Sequence, residues 1–451
     1  MSGYSEYREL NLPWLKVVPA HWETQRNKNI FTEQKEIVGE RSADYTLLSL
    51  TLNGIIPRDM DGGGKFPESF DKYKIVKNGD MAFCLFDIDE TPRTVGLSGY
   101  DGMLTGAYTI MRVSNINARF IYYYYLALDN SKMLRPLYTG LRKTININTF
   151  QSTKVPVPPR EEQDQIVRFL DWKVSSINKL INIKKKEIKA IDALKRSMVS
   201  HAITRGLTAD VSMKYSGVKW LGDIPAHWKV TKLWQILRPV SEKNHPEFPL
   251  LSVVREQGVI LRDIEDKEAN HNFIPDDLSG YKVVRKGQFA MNKMKAWQGS
   301  YGVSDYTGIV SPAYFIFDIA FENLEYFHYA IRSKVYVNFF AQASDGIRVG
   351  QWDLQMGKMK EIPFIVPPAD EQIAIVKYIK QALPQYDAAI EKLTAEVAVL
   401  EEYKNKIIAD TVTGKIDVRG IEIPEYEFVD EDIDNADENP EQGADEPPEE
   451  E

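Results

Sequence analysis

The longest apolar pattern in the chain lies near its midpoint, between Pro159 and Gly206. Its apolar residues recur at spacings of three, four and seven, which places them on one side of an α-helix: Ile166, Leu170, Ile177, Ile181, Ile188, Ile191, Leu194 and Met198. Proline before such a pattern and glycine after it are typical of residues that flank a helix. The pattern predicts one long amphipathic helix.

The same pattern recurs near the C-terminus, between Pro367 and Gly414. A shift of 209 positions places one segment on the other, so that Glu162 corresponds to Glu371. One difference is Pro384, which stands where the first segment has Ser175. Because proline lacks the N–H that a helix interior needs, we predict a second long helix with a kink or break at Pro384.

The duplication extends into the segments that precede the helices. The segment Trp14–Trp22, with sequence WLKVVPAHW, returns 206 residues later as WLGDIPAHW at Trp220–Trp228. Alternating apolar and polar residues follow in both copies, and a turn at Asn78-Gly79 or Lys286-Gly287 predicts a hairpin in each. The chain is therefore predicted to be a tandem duplication of a mixed α/β globular domain followed by a long helix.

These repeats predict an α/β (α+β) fold in which the two long helices pack as an antiparallel coiled coil. A chain of 451 residues is also too long for one ordinary core. We divide it into five segments: a first globular domain at 1–158, a central helix at 159–206, a second globular domain at 207–368, a distal helix at 369–421 and an acidic, disordered tail at 422–451.

The charge of the chain is the sum of two unlike parts. The formal net charge is −9, yet residues 422–451 contain 15 acidic residues and no lysine or arginine, so residues 1–421 carry +6. A tail of this composition cannot bury enough surface to fold alone. We interpret it as a solvating tail, with an acidic arm that competes for a basic groove as the alternative.

Motifs for catalysis or metal binding are absent from the sequence. It has neither a GxxxxGK[ST] phosphate loop nor a GxGxxG motif after a strand. The single cysteine, Cys84, excludes a disulfide framework and a zinc site of paired thiolates. The equivalent residues His21 and His227 stand beside tryptophans, which favours a packing or capping role over a catalytic one. The sequence is typical of a binding protein without a metal.

Nothing in the sequence predicts a membrane segment. No run approaches the roughly 18 apolar residues that a transmembrane helix needs, and the polar start MSGYSEYREL does not resemble a signal peptide. We therefore expect a cytoplasmic protein.

After the predicted hairpin, the two copies differ in length and chemistry although their flanks stay alike. The first has FDIDETPRTVGLS and the second has MKAWQGSYGVS. Variable loops on a shared scaffold are typical of recognition sites. Lysine, asparagine and glutamine contact base edges and tryptophan offers a stacking surface, so we predict DNA-binding residues in both loops: Thr91, Arg93, Asn292, Lys293, Lys295, Trp297 and Gln298.

The first of these loops is acidic, through Asp87, Asp89 and Glu90. Carboxylates accept hydrogen bonds from cytosine but repel phosphate. For any single residue of either loop, an ordinary solvated position is the alternative.

A second shared loop precedes each long helix and carries an arginine after a glycine. It reads GLRKTIN from Gly140 and GIRVGQW from Gly346. We predict that five of its side chains contact phosphates or base edges: Arg142, Lys143, Asn146, Arg348 and Gln351. An ion pair within the domain is an equal alternative. The basic run Lys184–Lys186 is interpreted as the solvated side of the first helix, with a DNA-facing role as the alternative.

These motifs resemble those of the specificity subunits of type I restriction-modification enzymes. The resemblance rests on WLxxxPxHW at the start of each globular domain, on PVPPxxEQxxIVxFL and its partner IVPPxxEQxxIVxYI, and on LTAEVAVL in the second helix. It covers nearly the whole chain up to about residue 421, and the acidic tail lies outside it.

The resemblance implies that each globular domain is a target recognition domain for one half of a split site in double-stranded DNA. It also implies a subunit without catalytic activity and without a cofactor of its own. Two modification subunits with S-adenosylmethionine would methylate adenine, and restriction subunits with ATP and Mg would translocate and cleave DNA.

The predicted helix length agrees with a split site. Ile177 to Ile203 spans 27 residues, which is roughly 40 Å at about 1.5 Å per residue and close to the axial length of about 12 base pairs. Because the two loops differ, we predict an asymmetric site. Two alternatives remain: the specificity subunit of a stand-alone DNA methyltransferase, and a structural adaptor that binds protein.

Overall fold

The structure, a computed structural model, describes residues 2–52, 54–58, 67, 69–140, 143–263, 275, 277–348 and 351–431. It contains two compact units. Unit 1 comprises Met1–Lys186 and Leu393–Glu451, and unit 2 comprises Glu187–Lys392. Each unit therefore joins one globular domain to the first half of the helix that follows it and to the second half of the other long helix.

Unit 1 begins with eleven strands, followed by helices and one further strand. The strands are β1 (Tyr7–Leu12), β2 (Leu15–Pro19), β3 (Glu23–Arg26), β4 (Phe31–Gln34), β5 (Leu48–Thr51), β6 (Gly54–Pro57), β7 (Lys74–Val76), β8 (Asp80–Phe83), β9 (Val95–Leu97), β10 (Gly102–Leu104) and β11 (Thr109–Val113). They are followed by α1 (Ala118–Asn130), α2 (Ile147–Ser152), β12 (Lys154–Val157) and the long helix α3 (Arg160–Arg205).

Unit 2 repeats this order with small additions. Its elements are β13 (Met213–Tyr215), β14 (Asp223–Pro225), β15 (Lys229–Lys232), α4 (Leu233–Ile236), β16 (Leu237–Val240), β17 (Leu251–Val254), β18 (Gly258–Leu261), β19 (Lys282–Val284), β20 (Phe289–Met291), β21 (Tyr301–Val303), β22 (Gly308–Val310) and β23 (Phe315–Ile319). They are followed by α5 (Leu324–Ile331), α6 (Lys334–Gln342), β24 (Ser344–Arg348), β25 (Gln351–Leu354), α7 (Met356–Lys360), β26 (Pro363–Val366) and the long helix α8 (Ala369–Val412).

The same antiparallel sheet of four strands occurs in both units. Its order is β4-β11-β8-β9 in unit 1 and β16-β23-β20-β21 in unit 2. Every residue of β8 and of β20 is buried, as expected for the interior strands of a sheet with both faces covered. The predicted tandem duplication of an α+β domain is confirmed.

An aromatic cluster forms the core of the first domain. Phe83 of β8 lies 4.8 Å from Phe150 and 5.2 Å from Tyr125 between ring centroids, and Phe31 of β4 contacts all three rings. Such rings bury large apolar areas. Together they hold α1 and α2 against the sheet whose connecting loops form the candidate site.

The repeated motifs meet where α3 begins. Glu162, in the first turn of α3, is 5% exposed and accepts hydrogen bonds from Trp22 Nε1 at 2.9 Å and from Tyr4 Oη at 2.5 Å. His21 Nε2 lies 2.7 Å from its other oxygen. In unit 2, Glu371 accepts from Trp228 Nε1 at 2.9 Å.

His227 Nε2 lies 2.5 Å from Glu371, as His21 does from Glu162. Both histidines thus fasten the first turn of a long helix to the globular domain. The structural role preferred for them from sequence agrees with these contacts.

Glycine ends both helix patterns for a steric reason. Gly206 and Gly414 both have φ +75, which favours glycine. A Cβ on Gly414 would also lie 2.3 Å from the Pro19 ring. The second helix ends at Val412, nine residues before the predicted boundary at 421, because the chain turns at Gly414 towards β2.

The apolar stripe is buried only along the first half of α3. Ile166, Leu170, Ile177 and Ile181 are at most 4% exposed, whereas Leu194 is 60% exposed. Leu194 belongs to the predicted stripe but is exposed, so the stripe does not pack continuously along α3.

Within unit 1 the two long helices run antiparallel. Lys404 Nζ of α8 lies 3.3 Å from Asn178 of α3, and Glu396 of α8 pairs with Lys184 of α3 at 2.9 Å. Lys184 was predicted to lie on the solvated side of the helix, but it pairs with the other long helix instead. In unit 2, Lys195 of α3 pairs with Asp387 of α8 at 2.5 Å.

The predicted break at Pro384 is not observed. Helix α8 is continuous from Ala369 to Val412, with Pro384 inside it. Pro384 is exposed, so water can bind the backbone carbonyl that has lost its helical partner.

The predicted hairpins were also wrong. Asn78-Gly79 and Lys286-Gly287 do form turns, but β7 pairs with β10 and β19 pairs with β22. In both units the strand after the turn has its two edges occupied by other strands of the four-stranded sheet. The turn therefore connects two sheets.

The tail that follows α8 was predicted to be disordered throughout. Part of it is instead ordered. Main-chain groups of Glu427, Val429 and Asp430 hydrogen-bond to α3, and the carboxylate of Glu431 pairs with Lys185. Main-chain groups of this segment find partners on the helix, which composition alone does not indicate. Residues 432–451 lie outside the described residues.

Candidate nucleic-acid interface

The two predicted loops of unit 2 form one surface. Trp297, in the loop after β20, stacks on Trp352 of β25 with centroids 5.2 Å apart and an interplanar angle of 27°. Lys293 Nζ lies 3.4 Å from Asp353 of the same strand. Residues 55 to 60 positions apart in sequence thus lie side by side.

A local hydrogen-bond network shapes the first of these loops. The Asn292 side chain accepts a hydrogen bond from Met294 N at 3.1 Å and donates to Tyr314 Oη at 3.2 Å. Gly299 closes the turn with φ +97. The predicted recognition residue Asn292 is therefore partly used in holding the loop.

Three side chains of this loop face solvent to different degrees. Lys295 is exposed and has no ion pair among the described residues, Met294 is 45% exposed, and Lys293 is 33% exposed. Trp297 and Gln298 are half-buried. An exposed cation next to an exposed thioether can contact phosphate and wedge against bases. Met294 is a candidate that the sequence analysis missed.

The indole N–H of Trp297 is buried and has no hydrogen-bond partner among the described residues. Its ring is half-buried under Trp352. We therefore regard Trp297 as the support of the loop surface. Trp352, adjacent to the predicted Gln351, is a second residue that the sequence analysis did not select.

Three of the predicted residues, Arg142, Arg348 and Gln351, are described only in part or not at all, and a fourth, Asn146, caps a helix. Arg348 and Gln351 are paired residues of β24 and β25, and only their backbone is described. Arg142 lies outside the described residues. Asn146 is exposed and caps α2 by accepting a hydrogen bond from Asn148 N at 2.9 Å.

The two predicted loops of unit 1 also meet, but through charge. Asp89 accepts hydrogen bonds from Arg135 Nε at 3.0 Å and from Tyr138 Oη at 3.3 Å. Lys143 Nζ lies 3.4 Å from Asp89 and 3.2 Å from Glu90. For Lys143, the alternative of an ion pair within the domain is the one observed. Arg135 and Tyr138 gave no signal in the sequence.

These contacts shift the pKa values of Asp89 and Tyr138. Desolvation raises the pKa of Asp89, but the hydrogen bonds and charges of Arg135 and Lys143 outweigh it and lower this pKa below its ordinary value. Desolvation and the Asp89 carboxylate raise the pKa of Tyr138 to about 12. At neutral pH the Asp89 carboxylate is therefore ionised and the Tyr138 phenol is neutral.

Thr91 and Arg93 form the base of this loop. Arg93 is 16% exposed, and its Nη1 donates to Asp129 at 3.2 Å and to Asn130 at 2.7 Å. Thr91 Oγ1 donates to the carbonyl of Asp87 at 2.9 Å. Arg93 holds the loop against α1 and Thr91 holds a turn within the loop, so direct contact of either side chain with a ligand would require rearrangement.

The described residues contain no group of three or more His, Cys, Asp or Glu side chains that could hold a metal ion. Throughout the same ranges, no helix is long and apolar enough to cross a membrane.

The sequence matches the family described as the Type I restriction modification DNA specificity domain over residues 86–191. The match begins in the acidic loop of unit 1 and extends into α3.

Two curated relatives come from Methanocaldococcus jannaschii. The specificity subunit of the type I restriction enzyme MjaVIII is 25% identical over 450 residues, and the alignment covers 93% of this chain and 99% of the relative. The putative type I restriction enzyme MjaX specificity subunit is 24% identical over 375 residues, covering 78% of this chain and 81% of the relative.

A chain from a solved structure of a type I R-M system shares the fold. It aligns with a TM-score of 0.56 at 13% identity, over 88% of this chain and 99% of that one.

Proposed function

We propose that the chain is a DNA specificity subunit of a type I restriction-modification system and that each of its units recognises one half of a split DNA site. One observation carries the proposal. In each unit, two loops that differ between the copies meet on one surface, through the Trp297–Trp352 stack in unit 2 and through Lys143 and Asp89 in unit 1. A conserved scaffold with a changed loop pair is what two different half-sites require.

The loop surface of unit 2 suits contact with both phosphates and bases. Lys295 is exposed and Lys293 holds Asp353 only at 3.4 Å, so either ammonium group can turn to DNA. Lysine contacts phosphate or guanine acceptors. The tryptophan pair beneath them limits the freedom of the loop, which reduces the entropy lost on binding.

The loop surface of unit 1 suits a different half-site. Glu90 is 73% exposed and can accept a hydrogen bond from a cytosine amino group. Lys143 and Arg135, 40% and 66% exposed, counterbalance the carboxylates. This mixed surface favours contact with base edges over non-specific attraction to the DNA backbone.

The partners follow from the family. We infer that the subunit assembles with two modification subunits and with restriction subunits on double-stranded DNA. In this arrangement it holds no cofactor and performs no chemistry, and S-adenosylmethionine, ATP and Mg belong to the partners. Its own residues supply recognition and spacing.

Methylation mapping tests the proposal. Co-expression with the cognate modification subunit should give adenine methylation at one split motif with two unlike halves, because the loop surfaces of the units differ. Exchanging residues 1–158 for those of a relative should change one half only. A palindromic motif, or a change in both halves, would contradict the assignment of one half to each unit.

A stand-alone DNA methyltransferase with this specificity subunit would methylate the same split motif, so methylation mapping does not distinguish it from a restriction enzyme. Cleavage of unmethylated DNA by the complex purified with its restriction subunit distinguishes the two. A stable complex that methylates no DNA would instead favour the adaptor.

We expect the isolated subunit to bind DNA weakly. Residues 1–421 carry a net charge of only +6, and DNA affinity depends strongly on the number of phosphates that cations neutralise. In unit 1, both Lys143 and Arg135 are already paired with Asp89. Titration of the mapped site at one salt concentration should show much tighter binding with modification subunits than without them. Equal affinity would show that this chain alone provides the binding surface.

A further inference from the structure

The chain does not leave unit 1 when α8 ends. Asp417 N donates to the carbonyl of Ser2 at 3.0 Å, close to the N-terminus. Gln165 Nε2 of α3 then donates to the carbonyls of Val418 and Ile421, at 3.0 and 2.8 Å. These contacts direct the following residues along α3.

Three polar side chains of α3 bind the main chain of this segment. Ser175 Oγ donates to the carbonyl of Glu427 at 3.0 Å and accepts from Val429 N at 2.7 Å. Asn178 Nδ2 donates to the carbonyl of Val429 at 3.2 Å. One turn further, Asn182 makes the next such contact.

Asn182 Nδ2 donates to the carbonyl of Asp430 at 2.9 Å. Ser175, Asn178 and Asn182 are spaced by three and four residues, so they lie on one side of the helix. They are only 2%, 5% and 6% exposed. Buried polar groups without partners are costly, and here the segment supplies partners for each of them.

Charge fixes the end of the segment. The Glu431 carboxylate accepts from Lys185 Nζ of α3 at 2.7 Å and from Lys404 Nζ of α8. The Glu431 and Lys404 side chains are only 15% and 16% exposed, so solvent screens the pair weakly. Glu431 therefore ties the two long helices together within unit 1.

An aromatic contact adds to the binding of the segment. The Arg119 guanidinium of α1 lies 5.6 Å from the centroid of the Phe428 ring, and Asp171 of α3 holds this arginine at 2.8 Å. Phe428 thus contacts α1 through Arg119, three residues before the ion pairs of Glu431.

The other copy lacks every element of this site. The shift of 209 places Pro384, Asp387 and Glu391 of α8 where α3 has its serine and two asparagines. A proline cannot donate, and two carboxylates repel an acidic peptide. The polar groups therefore do not belong to the shared scaffold, and they occur on the helix whose side chains bind the main chain of the acidic segment.

We propose that α3 carries a peptide-binding groove in unit 1, and that residues 427–431 occupy it as an intramolecular ligand that fastens the end of the chain to its middle helix. The groove takes an extended peptide through its main chain and requires a carboxylate at the last position. This role goes beyond DNA recognition. It makes the acidic segment a clasp for the helix pair of unit 1.

Because the groove binds backbone atoms, it should tolerate side-chain changes and reject proline. Val429 is the most informative position to substitute, because its backbone N–H donates to Ser175. Val429→Pro removes this donor, whereas Val429→Ala keeps it. The two variants lie outside both globular domains, so neither should unfold them.

Limited proteolysis of the full chain with a glutamate-specific protease tests the proposal. Mass spectrometry measures the rate of cleavage after Glu425. Proteolysis of a docked segment proceeds through the open population. We expect the double variant Lys185→Gln/Lys404→Gln and the variant Val429→Pro to be cleaved about tenfold faster than the native chain, the factor that corresponds to about 1.4 kcal/mol. Val429→Ala and Lys179→Gln, a change of an exposed lysine on the same helix, should match the native chain.

Native cleavage as fast as that of Val429→Pro would overturn the clasp, because the segment would then be open already. Equal acceleration by Lys179→Gln would overturn the assignment of Lys185 and Lys404. The test involves no DNA and no partner subunit, so its result is independent of the proposed recognition function.

Discussion

Lys295→Ala should weaken binding of the assembled enzyme to its DNA site by about 5- to 150-fold, which corresponds to roughly 1–3 kcal/mol for a lysine contact to a base edge. Lys295 is the exposed cation of the loop surface in unit 2 and has no ion pair among the described residues to compete with DNA. Affinity for the mapped site and for each single-base variant of it is the measurement.

The way in which affinity is lost across the DNA variants distinguishes a base contact of Lys295 from a phosphate contact. If Lys295 binds a base, discrimination should relax at one position of one half-site. If it binds phosphate, affinity should fall for all sequences alike and the salt dependence should become shallower by about one ion.

The matched control is Lys334→Ala, which removes the same charge from an exposed position on α6 of the same unit. It should leave binding nearly unchanged, since Lys334 lies outside the loop pair. Equal losses in the two variants would mean that only overall charge matters, and the loop surface would lose its assignment.

Glu162→Ala should open the first turns of α3 strongly, at a cost of about 3 kcal/mol in local stability, because it leaves the buried donors of Trp22 and Tyr4 without an acceptor. The equivalent Glu371→Ala should cost only about 1 kcal/mol. Its side chain is 35% exposed, so water can replace the lost oxygen atoms.

Amide hydrogen exchange is the suitable measurement, because a chain with two compact units does not have a single free energy of unfolding. Exchange in the first turns of α3 should accelerate by about 100-fold in Glu162→Ala, and that of α8 by about fivefold in Glu371→Ala. Glu161→Ala, a change of the exposed neighbour in the same turn, should have little effect. A response of Glu162→Ala no larger than that control would show that the motif contacts do not anchor the helix.

The candidate site was predictable from sequence only in part. The difference between the copies identified both loops, and the structure brings each of them together with the second shared loop of its unit. The contribution of each residue was not predictable. Arg93 proved to be the partner of Asp129, and Lys143 is paired within an acidic cluster.

Trp352 and Met294 were both missed, although Met294 lies within an identified loop. Stacking of Trp352 on Trp297 depends on where β25 lies relative to a loop more than 50 positions earlier. Neither residue belongs to a repeated motif or to an apolar period, so no pattern along the chain indicated it.

The sequence by itself determined the duplicated architecture and the places where the long helices begin and end. Helical periodicity, proline before a helix and glycine after it act within a few residues, so the pattern near Pro159 and Gly206 is sufficient to predict α3. The repetition of motifs 206 to 209 positions apart then implied the second copy.

Tertiary structure alone decided which strands pair, which charges are free and where the acidic segment lies. The strand β7 pairs with β10 because β9 and β11 already occupy both edges of β8. Glu431 has an ordered place because two lysines from different helices meet beside it. Such contacts depend on the distance between groups that are far apart along the chain, and a local pattern of polar and apolar residues does not encode that distance.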